Sequence, residues 1–134
     1  MKIDTDLLKP CHTTIVLPVI ESMIELFPKW VENVIISYEP EDSGNYATTA
    51  PSFPYHRTAI FLSPEIIGDT EERLTAVIAH EIAHCYNEPL IRAVNEYLPQ
   101  LSASEEVLRV INKVFMDAIE NQTEELAILF CRED

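Results

Sequence analysis

Hydrophobic and polar residues alternate along the chain with two different periods. Within residues 18–27 the apolar side chains recur at helical spacing, which predicts a first helix that begins at Pro18 and stops at Pro28. Two short runs rich in β-branched and aromatic residues, 33–38 and 58–63, predict strands. Residues 39–57 between them are rich in Pro, Ser, Thr and Asp, and predict a long loop that is either mobile or covers a site.

The second half of the chain has a helical period. Asp69 followed by Glu72 is typical of a helix N-cap, and the apolar stripe after it predicts a helix to about Cys85. A second, short helix fits residues 89–98, since Pro89 suits a first turn and Pro99 a stop.

Another helix start, Ser102 with Glu105, precedes a long apolar pattern that predicts a final helix reaching Leu129. The predicted order α-β-β-α-α-α is that of an α+β protein. The chain has 134 residues, so we expect one domain over residues 1–134.

The charge of the chain excludes several classes of partner. Its 9 basic and 23 acidic residues give a net charge of −14, which disfavours binding to nucleic acid or to a membrane surface. The apolar run 15–20 is too short for a membrane span. Three cysteines do not resemble a disulfide framework, so we expect a cytoplasmic protein.

A His-Glu-x-x-His motif, His80-Glu81-Ile-Ala-His84, lies in the middle of a predicted helix. Residues four apart share a helix face, so the imidazoles of His80 and His84 can converge on one ion while Glu81 points beside it toward metal-bound water. Two imidazoles and a carboxylate with one open position are typical of catalytic zinc, which makes Zn²⁺ the expected cofactor.

The same motif can arise by chance on an amphipathic helix, with both histidines as half-buried polar groups. Its neighbours from Val77 to Cys85 are uncharged, however, and histidines in an apolar segment need partners such as a metal. The strand 58–63 lies just upstream, where a metallopeptidase needs an edge strand for its substrate. These features favour the metal site.

The segment from Val77 to Tyr86 resembles the active-site helix of zincin metallopeptidases. No histidine follows His84, and Pro89 and Leu90 stand in the segment where a metzincin would continue with spaced Gly and His. The chain is therefore similar to the gluzincins, in which a Glu on a later helix is the third ligand. Its short length resembles the minigluzincins and the small metallopeptidases of phages and mobile elements. The resemblance implies a zincin-like fold, with a short sheet and its edge strand packed on the motif helix and a long C-terminal helix.

The third ligand that this resemblance implies is either Glu120 or Glu124, which match a Glu-x-x-x-acid pattern. Helix geometry favours Glu120, because it lies closer to the predicted apolar face of the last helix. That face is expected to be centred on a set of five residues: Ile111, Phe115, Ala118, Gln122 and Leu129. Glu124 is then expected to accept a hydrogen bond from a metal-binding imidazole, although the alignment that makes Glu124 the ligand stays open.

We expect hydrolysis of peptide bonds in a peptide or protein substrate, with Glu81 as the general base on zinc-bound water. A catalytically inactive, metal-binding relative that acts as a protein-interaction module is the alternative, and a module without metal is a weaker one. Cys85 is expected to be a small buried residue and not a ligand. His12 and His56 are expected at the surface or in loops, and Tyr55, His56 or Tyr86 could donate to an oxyanion.

Overall fold

A four-stranded mixed sheet and two long helices make up the α+β fold of the computed structural model, which describes residues 1–101 and 104–131. The strands are β1 (Lys2–Asp4), β2 (Asn33–Tyr38), β3 (Ala47–Ser52) and β4 (Arg57–Leu62). Their order across the sheet is β1-β2-β4-β3, with β1, β2 and β4 parallel and β3 antiparallel to β4. β3 is therefore an edge strand, and β4 lies inside the sheet.

Four α-helices accompany the sheet: α1 (Pro10–Ser22), α2 (Pro64–Ile67), α3 (Glu71–Tyr97) and α4 (Glu105–Phe130). Short 3-10 turns cover Ile24–Leu26, Phe53–Tyr55 and Leu98–Gln100. The last of these turns joins α3 to α4, and the two helices pack against each other more extensively than any other pair of elements. Among the residues described, none of the helices combines the length and the apolar character needed to cross a membrane.

Alternate residues of the inner strands form one side of the hydrophobic core. Val34 and Ile36 of β2 lie beside Thr58 and Ile60 of β4, and all four are almost fully buried. These side chains join a core to which α1 contributes Val16, Val19 and Ile20, and α3 contributes Leu74, Ile78 and Ile82. The period of two therefore directs one face of the sheet toward the helices.

The first helix differs from its prediction at the N-terminal end. α1 begins at Pro10, not at Pro18, and a 3-10 turn at Ile24–Leu26 completes the predicted segment. Pro10 occupies the first turn, where an N–H has no helical partner, while Pro18 lies inside the helix. β1 was not predicted, because three residues of mixed polarity carry no detectable period.

The predicted loop 39–57 contains the edge strand β3, so its description as a loop was wrong. The predicted strand 58–63 corresponds to β4, but β4 has a neighbour on both sides and is not the edge strand. Ala, Pro and Ser are weak strand formers, so strand propensity did not predict β3. An edge strand tolerates Pro51 because one side of its backbone needs no hydrogen bonds.

The two helices predicted for residues 69–98 are one continuous helix, α3, which is capped by Thr70 and not by Asp69. The Thr70 hydroxyl accepts a hydrogen bond from the Arg73 N–H (3.2 Å). Pro89 lies inside α3 and removes one backbone donor. Packing against α4 keeps this part of α3 helical, which is tertiary structure overriding a local preference.

The final helix begins close to its predicted position. Ser104 caps α4, with its side chain accepting a hydrogen bond from the Val107 N–H (3.3 Å), whereas the predicted cap Ser102 lies outside the described residues. The predicted apolar face was wrong in its centre. The buried positions of α4 are Ile119, Thr123 and Ala127, while Phe115 and Leu129 are about half exposed.

Candidate metal and catalytic site

α3 places the three residues of the His-Glu-x-x-His motif beside β3. Regular helix geometry brings His80 and His84 onto one face, one turn apart. Their Nε2 atoms are 3.1 Å apart, and the two rings meet nearly edge to face, with planes at 83°. One ring nitrogen of each histidine and one Glu81 carboxylate oxygen lie within 4.8 Å of one another, a cluster that could hold a metal ion.

Glu81 is a buried carboxyl group beside these imidazoles, with only 4% of its surface exposed. The hydroxyl of Thr49 on β3 donates a hydrogen bond to its Oε2. Burial raises the pKa of Glu81, and the Thr49 hydrogen bond and the two histidines offset only part of that rise. A buried carboxyl with a raised pKa in an open cleft is a candidate proton acceptor and donor.

α4 brings one acidic side chain near the histidines. The Oε1 atom of Glu120 lies 3.8 Å from Nε2 of His80, with half of the side chain exposed. Glu124, one turn later, lines a shallow depression that His80 also lines from α3. Of the two α4 candidates, Glu120 is therefore the one within 4 Å of a motif imidazole, although it does not belong to the cluster of His80, Glu81 and His84.

The motif lines an open cleft of about 400 Å³ between α3 and β3. Ala47, Thr48, Thr49 and Pro51 form its wall on the strand, and Glu88 and Ile91 continue the helix wall beyond His84. Burial raises the pKa of Glu88, and the nearby positive charge of Arg92 offsets part of that rise. The cleft therefore has a strand wall, a helix wall and more than one carboxyl group.

The free edge of β3 follows from its pairing with β4. The Ser63 N–H donates to the Tyr46 carbonyl (2.8 Å), so residues 46, 48, 50 and 52 direct their backbone groups toward β4. The backbone groups of Ala47, Thr49 and Pro51 then point away from β4, toward the free edge of the sheet. Pro51 has no N–H, and its place in this register costs the sheet no hydrogen bond.

Cys85 follows the motif but points away from the cluster. It is fully buried, and its Sγ contacts the Thr58 hydroxyl (3.6 Å) in the core. Burial raises the pKa of the Cys85 thiol to about 11, which keeps it protonated near neutral pH. The expectation of a small buried residue is confirmed.

The other candidate side chains lie away from the motif. Nδ1 of His12 is 2.5 Å from the Tyr38 hydroxyl, and the exposed His56 lies 3.5 Å from Glu32. The Tyr86 hydroxyl donates to the carbonyl of Leu26 (2.6 Å), and the Tyr55 ring is 70% exposed. None of these four lines the cleft that contains His80 and His84.

Sequence reasoning did not find two residues of this site. Thr49 was assigned to the loop, and only recognition of β3 as an edge strand could have placed it beside Glu81. Glu88 follows His84 by four residues, so the helical spacing already put it on the motif face.

The comparisons with known proteins do not identify a family. No family model, no curated protein and no solved structure matches this chain.

Proposed function

We propose that this protein is a zinc-dependent metallopeptidase with a zincin-like fold, most similar in its ligand set to the gluzincins. The observation that carries the proposal is the placement of His80, Glu81 and His84 in one cleft beside an edge strand. The imidazoles supply two ligands and Glu81 an acid-base group, and the strand offers a partner for an extended peptide.

The donor set fits zinc. Ligand atoms about 2.0–2.1 Å from a tetrahedral Zn²⁺ are about 3.3 Å apart, and the Nε2 atoms of His80 and His84 are 3.1 Å apart. Glu120, whose Oε1 is 3.8 Å from Nε2 of His80, would be the third ligand. Zinc in such a site polarises a substrate carbonyl and lowers the pKa of water.

Glu81 would act as the general base. It would accept a proton from the attacking water molecule and return that proton to the leaving amine. Its pKa is raised toward neutral pH, which makes it a better proton acceptor, and Thr49 holds one carboxylate oxygen in place. Its other oxygen is left to face the cleft.

The substrate would bind as an additional strand along β3. The N–H and C=O groups of Ala47 and Thr49 face the open side and can pair with an extended peptide backbone. This pairing would hold the peptide across the histidines, because the same strand forms the wall of the cleft opposite His80 and His84.

A metal-binding protein without turnover, acting through protein interactions, is the second candidate. The observation in its favour is that Glu120 does not belong to the cluster of His80, Glu81 and His84, which leaves that cluster, within the described part of the chain, without a third ligand besides the proposed base. Such a protein would not need Glu81 as a general base. A measurement of peptidase activity therefore decides between the two candidate functions.

The test is cleavage of an unfolded protein substrate by protein stripped of metal and then loaded with one equivalent of zinc. Mass spectrometry of the products should reveal new termini only after zinc addition, and a chelator should abolish them. The control is a His80→Ala/His84→Ala variant purified identically, which should give no products. Equal cleavage by this control would assign the activity to a contaminant and contradict the proposal.

A further inference from the structure

Glu88 is a carboxylate in the cleft that the metal and the chemistry do not require. A dication bound by two neutral imidazoles is balanced by the negative charges of Glu120 and Glu81. Glu88 adds a further negative charge, one helical turn beyond His84 on the same face of α3. Among the residues described, Glu88 takes part in no ion pair, since Arg92 is exposed and stays beyond ion-pair distance.

Glu88 shares its cleft with apolar residues as well as with the polar side chains of the motif and of β3. Ile91, three residues later on α3, and Ala47 and Pro51 on β3 line the same cleft. The Glu88 side chain is half-buried, so its charge is partly removed from water, and the positive charge of Arg92 compensates for only part of that burial. A long side chain with an aliphatic stem and a cationic end would satisfy both features, because lysine and arginine pack their stems on apolar surface.

The position of Glu88 relates it to the bond that would be cut. Four residues of helix span about 6 Å, and an extended peptide advances about 3.3 Å per residue. A peptide paired with β3 and held over His84 would therefore bring a side chain within about two residues of the scissile bond close to Glu88. The net charge of −14 also favours the approach of cationic peptides.

We propose that Glu88 is a specificity residue, which makes the cleft select peptides with lysine or arginine within two residues of the scissile bond. This inference rests on the proposed function, since it uses the same cleft and the same strand pairing. It assigns a substrate class, basic peptides, that the metal site alone does not define.

The test measures binding separately from turnover. Zinc-loaded Glu81→Gln protein is titrated with fluorescent peptides that are identical except for lysine, norleucine or glutamate at one position, moved stepwise along the peptide. We expect the lysine peptide to bind about three- to tenfold more tightly than the norleucine peptide at one or two adjacent positions. Adding Glu88→Gln should remove this preference and leave norleucine binding unchanged.

Glu125→Gln is the matched control, because it removes one exposed carboxylate on α4 outside the cleft. It should keep the lysine preference. A preference that survives Glu88→Gln, or that Glu125→Gln reduces equally, would overturn the inference and assign the effect to overall charge. The absence of any lysine preference would also overturn it.

The outcomes separate this inference from the proposed function. Zinc-dependent cleavage without lysine selectivity would leave the peptidase standing and reject the role of Glu88. Lysine binding that depends on Glu88, in a protein without cleavage activity, would support the cationic subsite and reject the peptidase. Failure to bind the lysine peptide would reject the role of Glu88, while the cleavage test decides separately about the peptidase.

Discussion

Glu81 illustrates how a candidate catalytic residue can destabilise the protein that carries it. Its carboxyl is buried, and burial raises its pKa above the value in the unfolded chain. The folded state therefore holds the proton more tightly, so the stability that this group contributes is present at acidic pH and is lost as pH rises through the folded pKa. At pH values above the folded pKa of Glu81, its charged carboxylate therefore destabilises the metal-free fold.

We therefore expect Glu81→Gln to stabilise the metal-free protein at pH 7 by about 0.5–2 kcal/mol, because glutamine keeps the shape and an acceptor for Thr49 without the charge. Thermal unfolding in the presence of a chelator measures this, and the difference from wild type should vanish near pH 4. Glu125→Gln, which removes an exposed charge, should change little at either pH. A Glu81→Gln variant less stable than wild type at pH 7 would contradict the claim that burial of the Glu81 carboxylate destabilises the fold.

The sequence alone was sufficient to predict the cluster of motif residues in the candidate site, but not the residues that contact this cluster. His80, Glu81 and His84 have a spacing that any regular helix converts into a cluster, and α3 does so. The partner of Glu81 could not be predicted, because Thr49 comes from a strand whose sequence, Ala-Thr-Thr-Ala-Pro-Ser, has weak strand propensity. The choice between Glu120 and Glu124 depended on a helix face whose centre was predicted incorrectly, although Glu120 does lie near His80.

The contact between α3 and α4 includes a buried polar pair. The Asn87 amide donates to the Thr123 hydroxyl (2.7 Å), which in turn donates to the Ile119 carbonyl (2.9 Å). Both side chains are almost completely buried. This pair fixes the register of the two helices, and with it the distance from Glu120 to His80.

Thr123→Val should destabilise the fold by about 1–3 kcal/mol, because it leaves the buried Asn87 amide without its short hydrogen bond. Thr14→Val on α1 is a matched control, since that hydroxyl also bonds a carbonyl four residues earlier but is exposed. It should change the free energy of unfolding in urea by less than about 0.5 kcal/mol. Equal effects of the two substitutions would mean that the buried pair adds nothing to the contact.

At the level of elements, the spacing of apolar residues and the turn and capping residues predicted β2, β4 and the body of each long helix. Two predicted helix starts were wrong, because Pro18 and Pro89 lie inside α1 and α3. A proline marks a helix end only when no packing compensates for the lost hydrogen bond, and the sequence does not show the packing partner. The long contact with α4 is such a partner for α3.

Across the whole molecule, the proposed ligands come from two helices that the chain joins only through the turn at Leu98–Gln100 and the residues before Ser104. Zinc bound by His80 and His84 of α3 and by Glu120 of α4 would couple the two helices. Binding to the folded state alone then stabilises the fold in proportion to the affinity. Thermal unfolding should consequently move to higher temperature when zinc is added.

Glu120→Gln should weaken zinc binding by more than about tenfold and reduce this thermal shift, whereas Glu124→Gln should have a smaller effect. Competition with a chromophoric chelator measures the affinities, and the two variants remove the same charge from adjacent turns of α4. The reverse order of effects would make Glu124 the third ligand.

The proposed peptidase activity depends on Glu81 acting as a base beside a bound zinc ion. The most direct measurement is kcat/KM for one cleaved peptide, compared between wild type and Glu81→Gln at one zinc per chain. We predict that the variant retains zinc and loses about 10²- to 10⁴-fold in kcat/KM. Full activity in zinc-loaded Glu81→Gln protein would show that Glu81 is not the general base.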